Sequence, residues 1–85
     1  MAPTDTLRDR AERYSPSQRR TLEVALALFA EHGVGGTSFQ MVADELGVTK
    51  AAVYHQFHTK DAIVAGVLEV QLAPLEAALD AADVG

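Results

Sequence analysis

The sequence predicts an all-α fold: a three-helix head whose second and third helices form a helix-turn-helix, followed by a fourth helix. Apolar residues recur at intervals of three and four, the periodicity of a helix that buries one face. Short breaks that contain glycine or capping residues separate these periodic segments. The chain of 85 residues is long enough for one small core, and it has no cysteine, so packing alone must stabilise that core.

Residues 1–15 are predicted to form a mobile N-terminal arm. The segment is charged and lacks apolar periodicity, and it contains Arg8, Arg10 and Arg13. Because acidic side chains alternate with these arginines, the arm is expected to be either solvated or at most an auxiliary contact to a polyanion.

The first predicted helix runs from about residue 16 to residue 32. Ser15 followed by Pro16 is a helix-start pattern, because serine caps free amides and proline tolerates the first turn. Gly33 is expected to end the helix. Its apolar face is formed by Leu22, Ala25, Leu26 and Phe29.

The second predicted helix begins near residue 38 and ends at Gly47. Thr37 and Ser38 are alternative N-caps, and Thr37 would place Gln40 at the last position of a capping box. Glycine at position 47 favours the left-handed backbone that ends a helix, and Thr49 can cap the next helix two residues later. The apolar face consists of Phe39, Val42, Ala43 and Leu46.

The third predicted helix covers about residues 50–57. Val53 and Phe57 are expected to face the core, with Val48 at the entrance of the helix. The outward side then carries Lys50, Ala51, Tyr54 and His55.

A fourth helix is predicted from Lys60, after the cap residue Thr59. Pro74 is expected to kink or interrupt it. Its apolar surface is larger than three small helices can easily cover. That surface includes Ile63, Val64, Val67, Leu68, Val70, Leu72 and Leu75.

The segment from residue 37 to residue 60, TSFQMVADELGVTKAAVYHQFHTK, resembles the helix-turn-helix of the TetR family of bacterial regulators. The family pattern runs approximately T-[TS]-hydrophobic-x-x-[IV]-A-x-x-x-G-V-[ST]-x-x-x-[LIV]-Y-x-H-F-x-[ST]-K-[DE]-x-[LI]. The matching positions are Thr37, Ser38, Phe39, Val42, Ala43, Gly47, Val48, Thr49, Val53, Tyr54, Phe57, Thr59, Lys60, Asp61 and Ile63. With the upstream stretch LALFAEHG, the resemblance covers about residues 17–72. One position departs from the pattern: Gln56 replaces the usual histidine before Phe57.

The resemblance implies that residues 16–60 are a DNA-binding domain whose third helix enters the major groove of double-stranded DNA. It implies that residues 61–85 are a connecting helix and the start of an effector-binding and dimerisation domain that is absent here. The chain is then expected to be either a truncated head or a natural short form that pairs through its own apolar tail. The full-length protein is then expected to be a homodimer that reads a palindromic operator, acts as a repressor and responds to a small-molecule effector. Repression is expected over activation because occupancy of a promoter suffices to block it.

The resemblance and the chemistry of the side chains together give a set of expected DNA contacts. Lys50 would reach a guanine edge or a phosphate, and Ala51 would allow close approach or touch a thymine methyl group. Thr49 and Lys60 would hold phosphates, as the hydroxyl of Tyr54 would. The complete expected set is Ser38, Gln40, Thr49, Lys50, Ala51, Tyr54, His55, Gln56 and Lys60.

Several of these residues also have purely structural interpretations, which the sequence leaves open. Gln40 is suited to a capping box, the ring of Tyr54 is suited to covering the core, and Lys60 is suited to solvation in a first helical turn. Arg19 and Arg20 are more typical of surface solvation than of phosphate contacts.

No catalytic, metal or cofactor site is expected. His55, His58 and Asp61 are spaced by three residues, but Thr59 breaks the helix between them and removes a common face. The alternative function left open is a helical protein–protein interaction or dimerisation module that uses the apolar surface of residues 63–75.

The charge distribution agrees better with DNA binding than the net charge of −5 does. Residues 1–60 hold all seven Lys and Arg residues with seven acids, whereas residues 61–85 hold five acids and no Lys or Arg. Positive charge is therefore confined to the part expected to face DNA. The sequence has neither a signal-peptide core nor an apolar run of about 20 residues, so a cytoplasmic location is expected.

Overall fold

The computed structural model describes residues 6–83, and for residues 8, 77 and 80–83 it describes the backbone alone. Five helices and no strand occur within this range, which confirms the all-α fold class. The helices are α1 (Leu7–Glu12), α2 (Pro16–His32), α3 (Phe39–Leu46), α4 (Lys50–Gln56) and α5 (Lys60–Asp83). Residues 1–5 of the predicted arm and residues 84–85 of the predicted connecting segment lie outside the described residues.

The hydrophobic core lies between α2, α3, α4 and the first half of α5. Every one of its buried residues comes from an apolar face that the sequence predicts, because each face follows the helical period. Burying one of the larger of these side chains, a valine, leucine, isoleucine or phenylalanine, stabilises the fold by about 1.5–3 kcal/mol. The core residues are Leu22, Ala25, Val42, Ala43, Val53, Phe57, Ile63 and Val67.

The start and end of α2 are as predicted. The Ser15 hydroxyl accepts a hydrogen bond from the Gln18 backbone amide at 3.0 Å, and the Gln18 side chain accepts one from the Ser15 amide at 2.9 Å. This reciprocal capping box satisfies two amides that have no helical partner. Gly33 ends the helix with φ of 78°, a conformation that favours glycine.

The turn between α3 and α4 is short and stabilised by its own hydrogen bonds. Gly47 adopts a left-handed backbone with φ of 74°, and the Val48 amide donates to the Ala43 carbonyl at 3.0 Å. Thr49, two residues after Gly47, caps α4, because its hydroxyl accepts a hydrogen bond from the Ala52 amide at 3.1 Å. The predicted helix-turn-helix is therefore present.

The N-cap of α3 is Ser38, which settles the alternative that the sequence leaves open. The Ser38 hydroxyl accepts from the Met41 amide at 3.2 Å. Thr37 is buried and donates its hydroxyl to the Gly33 carbonyl at 2.8 Å, so it closes the loop after α2. The predicted capping box between Thr37 and Gln40 is consequently wrong.

Residues 7–12 form a helix, which corrects the prediction of an arm without regular structure. Thr6 and Asp9 form a capping box at the start of α1, with the Asp9 amide 3.0 Å from the Thr6 hydroxyl. The helix packs along α5, where the Leu7 amide donates to the Glu76 carboxylate at 3.0 Å. Contact with a distant helix orders α1, although its own sequence lacks an apolar period.

Tyr14, in the segment between α1 and α2, forms a side-chain contact with α5. Its hydroxyl donates to the Glu69 carboxylate at 2.6 Å, and its ring centroid lies 5.9 Å from that of Phe57. Burial, with the hydrogen bond and negative charge of Glu69 as further causes, raises the pKa of Tyr14 to about 12. The guanidinium of Arg19 adds a hydrogen bond to the Ala11 carbonyl at 2.6 Å.

Helix α5 continues through Pro74 to Asp83, so the predicted interruption does not occur. Proline removes one backbone hydrogen bond, but contacts with the N-terminal segment at Glu69 and Glu76 support α5 on both sides of that position. None of the helices in residues 6–83 combines the length and the apolarity required to cross a membrane. Four exposed leucines follow one another along α5: Leu68, Leu72, Leu75 and Leu79.

Candidate nucleic-acid interface

Helix α4 presents one exposed face because its opposite face is anchored in the core. Val53 is 1% exposed and Phe57 is 4% exposed, which fixes the rotation of α4 about its axis. The residues predicted to point outward are all exposed, as expected for positions that avoid this anchored side. They are Lys50, Ala51, Tyr54 and His55.

Tyr54 is held by aromatic neighbours while more than half of its surface stays accessible. The side chain is 53% exposed. Its ring centroid lies 6.1 Å from that of Phe39 and 5.4 Å from that of His58, which meets it edge-on. These contacts restrict the ring, while the side chain as a whole stays more than half exposed. His58 therefore lies beside the site. The sequence analysis did not include His58 in the site, although it follows Tyr54 by only four residues.

The N-terminus of α4 lies beside this face. Thr49 uses its hydroxyl to accept from the Ala52 amide, and its carbonyl accepts from the amides of Ala52 and Val53. The amides of Lys50 and Ala51 precede the first helical hydrogen bonds, so α4 supplies no carbonyl for them. Donor groups and the lysine side chain therefore occur together at this end of the helix.

Ser38 and Gln40 are exposed at the start of α3, as their predicted role requires. The Ser38 oxygen accepts from the Met41 amide, which leaves its hydroxyl hydrogen able to donate. The Gln40 side-chain amide donates to the Asp44 carboxylate at 2.7 Å, so part of its hydrogen-bonding capacity is used within α3.

Lys60 lies at the first position of α5, directly after the cap residue Thr59. Its ammonium group donates to the Val34 carbonyl at 3.1 Å, which ties α5 to the loop that leads into α3. An ammonium group has three hydrogens, so this bond leaves donors for an anion. Lys60 thus combines a structural contact with a remaining positive charge.

The Gln56 side chain faces α2, although it belongs to the set of expected DNA contacts. Its carbonyl oxygen accepts from the Thr21 hydroxyl at 2.6 Å, and its amide nitrogen donates to the Ser17 hydroxyl at 2.7 Å. Position in the sequence did not reveal these contacts, because Ser17 and Thr21 lie on another helix.

A cleft of about 200 Å³ separates the start of α2 from α4. Ser17 and Arg20 line it from α2, and Ala52 and Gln56 line it from α4. Arg20 therefore lies next to the face described above, while Arg19 is occupied by the Ala11 carbonyl. Among residues whose side chains are described, no group of three or more His, Asp or Glu residues is arranged to hold a metal ion.

Comparison with known proteins identifies the part of the chain that forms this face. A family model described as bacterial regulatory proteins, tetR family, matches residues 22–67. The HTH-type transcriptional repressor KstR2 of Rhodococcus jostii (strain RHA1) is 39% identical over 54 residues, covering 61% of this chain and 26% of the relative. The HTH-type transcriptional regulator SrpR of Pseudomonas putida is 33% identical over 60 residues, covering 71% of this chain and 28% of the relative.

The probable acrEF/envCD operon repressor of Escherichia coli (strain K12) is 40% identical over 44 residues, covering 52% of this chain and 20% of the relative. The chain thus matches between 20% and 28% of the length of these relatives. No solved structure matches the chain significantly. Because the family match covers more than half of the chain and includes α3, α4 and the turn between them, the chain belongs to the tetR family of bacterial regulatory proteins.

Proposed function

We propose that this chain binds double-stranded DNA at specific sequences and is the DNA-binding part of a transcriptional repressor, with α4 in the major groove. The observation that carries the proposal is the exposed face of α4, which combines a lysine, an alanine, a tyrosine and a histidine beside a helix N-terminus. An α-helix fits the width of the major groove of B-DNA, where base edges carry a distinct pattern of donors and acceptors.

Within this arrangement Lys50 and Ala51 are the residues placed to read bases. Lysine reaches the acceptor atoms of guanine, and alanine allows the helix to approach the groove floor or to touch a thymine methyl group. His55 lies on the same exposed face and adds a second polar group at the groove. These contacts supply sequence discrimination.

Phosphate contacts then fix the register of α4 on the duplex. Tyr54 offers its hydroxyl, and Thr49 lies beside the free amides at the start of α4. Ser38 and Gln40 extend the footprint from α3, and Lys60 extends it from α5. Gln56, which the resemblance assigns to the same footprint, has both its amide oxygen and its amide nitrogen engaged by hydroxyl groups of α2.

The whole protein is proposed to be a homodimer that recognises a palindromic operator and responds to a small-molecule effector. Relatives named as repressors support repression, and their greater length leaves room for a domain that would pair the subunits and bind the effector. A dimer places two recognition helices about one helical turn of DNA apart, which is the geometry that a palindrome matches. Bacterial regulators of transcription act on the chromosome, so the proposed location is the cytoplasm.

A row of leucines on α5 favours helix–helix interaction as a second function. Ile63 and Val67, which the sequence assigned to this surface, are buried in the core instead. The exposed row consists of Leu68, Leu72, Leu75 and Leu79. Its spacing of four, three and four residues is typical of a helix that packs against another helix.

Selection from a randomised pool of double-stranded DNA tests the proposal. The purified chain is incubated with the pool at low and moderate salt, and the bound duplexes are recovered and sequenced. Enrichment of a half-site or of an inverted repeat, with affinity that falls as salt rises, supports sequence-specific binding. Retention equal to that of a non-binding control protein at both salt concentrations would refute it, and the leucine row would then be tested for a protein partner.

Matched tyrosine variants localise the interface. Tyr54→Phe removes the hydroxyl on the exposed face and is expected to weaken binding, whereas Tyr14→Phe makes the same change at the contact with α5 and should leave binding unchanged at temperatures where both variants are folded. Lys50→Ala separates the two roles of lysine: loss of a phosphate contact lowers the slope of log affinity against log salt by about 1, and loss of a base contact relaxes specificity at one position.

A further inference from the structure

We infer that Gln56 is a positioning residue, which holds the recognition helix α4 against α2 and thereby sets sequence discrimination without itself touching DNA. The inference rests on the proposed function, and it assigns to Gln56 a different role from the DNA contact that the sequence predicts.

The side-chain amide of Gln56 bridges two hydroxyl groups of α2. The Thr21 hydroxyl donates to Oε1 at 2.6 Å, and Nε2 donates to Ser17 Oγ at 2.7 Å. Both distances are at the short end of the range for such bonds. One N–H of Gln56 is left after these contacts, so most of its capacity is committed within the protein.

Thr21 makes this bridge part of the folded core. The side chain is 2% exposed, so its hydroxyl cannot reach DNA directly and would lose hydrogen bonding if Gln56 turned away. Rotating Gln56 toward a phosphate would therefore leave a buried donor with only the long contact to the Ser17 carbonyl at 3.1 Å.

The bridge spans a place where the two helices are otherwise loosely joined. Fewer backbone positions of α2 and α4 lie close together than of α2 and α3 or of α3 and α4. The cleft of about 200 Å³ lies between them at this end. Loss of the bridge should let α4 shift relative to α2, which would displace Lys50 and Tyr54 from their positions on the duplex.

A positioning role and a direct contact have different consequences for DNA binding. Base contacts depend on geometry within a fraction of an ångström, whereas the number of neutralised phosphates changes little when a helix shifts. Weakening the bridge is therefore expected to lower the ratio of affinities for specific and shuffled DNA while leaving the salt slope unchanged.

The test is a double-mutant cycle with Thr21→Val and Gln56→Leu. The probe is a duplex that the wild-type chain has selected from a randomised pool, compared with a shuffled duplex of the same composition. Each single variant is expected to lower the affinity ratio, by up to about tenfold, the equivalent of one hydrogen bond. The double variant should be no worse than Gln56→Leu alone, since both changes break the same bridge.

Two controls separate this role from a general loss of stability. Thr21→Ser keeps the hydroxyl and should retain the wild-type affinity ratio. Thr37→Val makes the same change at an equally buried threonine, whose hydroxyl bonds to the Gly33 carbonyl and has no contact with Gln56. It should lower thermal stability about as much as Thr21→Val does, without a comparable loss of discrimination.

The outcomes decide between the roles. Wild-type discrimination in Thr21→Val together with a loss in Gln56→Leu would overturn the inference, because it would show that Gln56 contacts DNA itself. Additive losses in the double variant would also overturn it. If Thr21→Val does not fold, Ser17→Ala replaces it in the cycle, and the same comparison with Gln56→Leu applies. A wild-type chain that selects no sequence from the pool would refute the proposed function itself, before any variant is compared.

Discussion

Replacing Gly66 by alanine is expected to destabilise the protein, although alanine is the better helix former. A Cβ atom at this position would lie 2.9 Å from Leu22 Cδ2, 3.1 Å from Leu22 Cδ1 and 3.2 Å from the Tyr14 hydroxyl oxygen. Leu22 is 2% exposed, and the Tyr14 hydroxyl is held 2.6 Å from the Glu69 carboxylate. Leu22 is therefore enclosed by the core, and a shift of Tyr14 would disturb its hydrogen bond to Glu69.

Two opposing contributions set the expected magnitude. Exchanging glycine for alanine inside a helix stabilises it by about 1 kcal/mol, because glycine loses more backbone freedom on folding. Adding a methyl group to a filled core costs about 1–3 kcal/mol. The balance is a decrease in the free energy of unfolding of about 1 kcal/mol for Gly66→Ala.

Urea denaturation followed by far-ultraviolet circular dichroism measures this change. Ala65→Gly is the matched control, because Ala65 is the exposed neighbour of Gly66 on α5 and reports the helix-propensity contribution by itself. That variant should lose about 1 kcal/mol. A Gly66→Ala protein more stable than the wild type by a similar amount would refute the reasoning, since it would mean that the contact between Gly66 and Leu22 relaxes without cost.

Two further predictions concern the loop after α2 and the tyrosine of the N-terminal segment. Gly36→Ala should lower the midpoint of thermal unfolding, because the added Cβ would overlap the His32 carbonyl oxygen. Gly35→Ala should leave the midpoint unchanged, because no atom lies within 4 Å of the added Cβ. Equal midpoints for the two variants would contradict this prediction. The pKa of Tyr14 is raised from 10.0 to about 12 in the folded state, so its hydroxyl ionises at a lower pH in the unfolded chain than in the folded one. The free energy of unfolding should therefore fall as pH rises from 10 to 12. Tyr14 is only partly buried and solvent screens its interaction with Glu69, so we expect a loss of about 1 kcal/mol and not the roughly 2.7 kcal/mol of an unscreened two-unit shift. Denaturation curves across this pH range should show that loss in the wild type and not in Tyr14→Phe, and parallel curves for the two proteins would argue against it.

Much of the fold follows from local patterns in the sequence. The helical period selected the core residues, and capping residues fixed the start of α2 at Ser15 and of α4 at Thr49. Gly33 and Gly47 marked helix ends because both adopt positive φ angles. The exposed face of α4 followed from the same period, since two anchored apolar residues determine which side remains outside.

Most features that the sequence did not reveal depend on partners far along the chain. Helix α1 has six residues and no apolar period, and its packing against α5 supports it in addition to its own capping box. The partners of Gln56 lie 35 and 39 residues away, a relation that no spacing rule encodes. The cap of α3, by contrast, was missed although it depends on a local contact: the Thr37 hydroxyl bonds to the Gly33 carbonyl four residues earlier, and Ser38 caps the helix.

The pairing of α1 with α5 also determines the order in which the chain can assemble. The contact between Leu7 and Glu76 joins residues 69 positions apart, so it closes a loop that includes the whole core. Contacts between residues close in sequence form faster than those that close a long loop. Synthesis is sequential, so α1 can dock on α5 only after residue 76 has been made, and we expect this docking to follow the formation of contacts between residues closer in sequence.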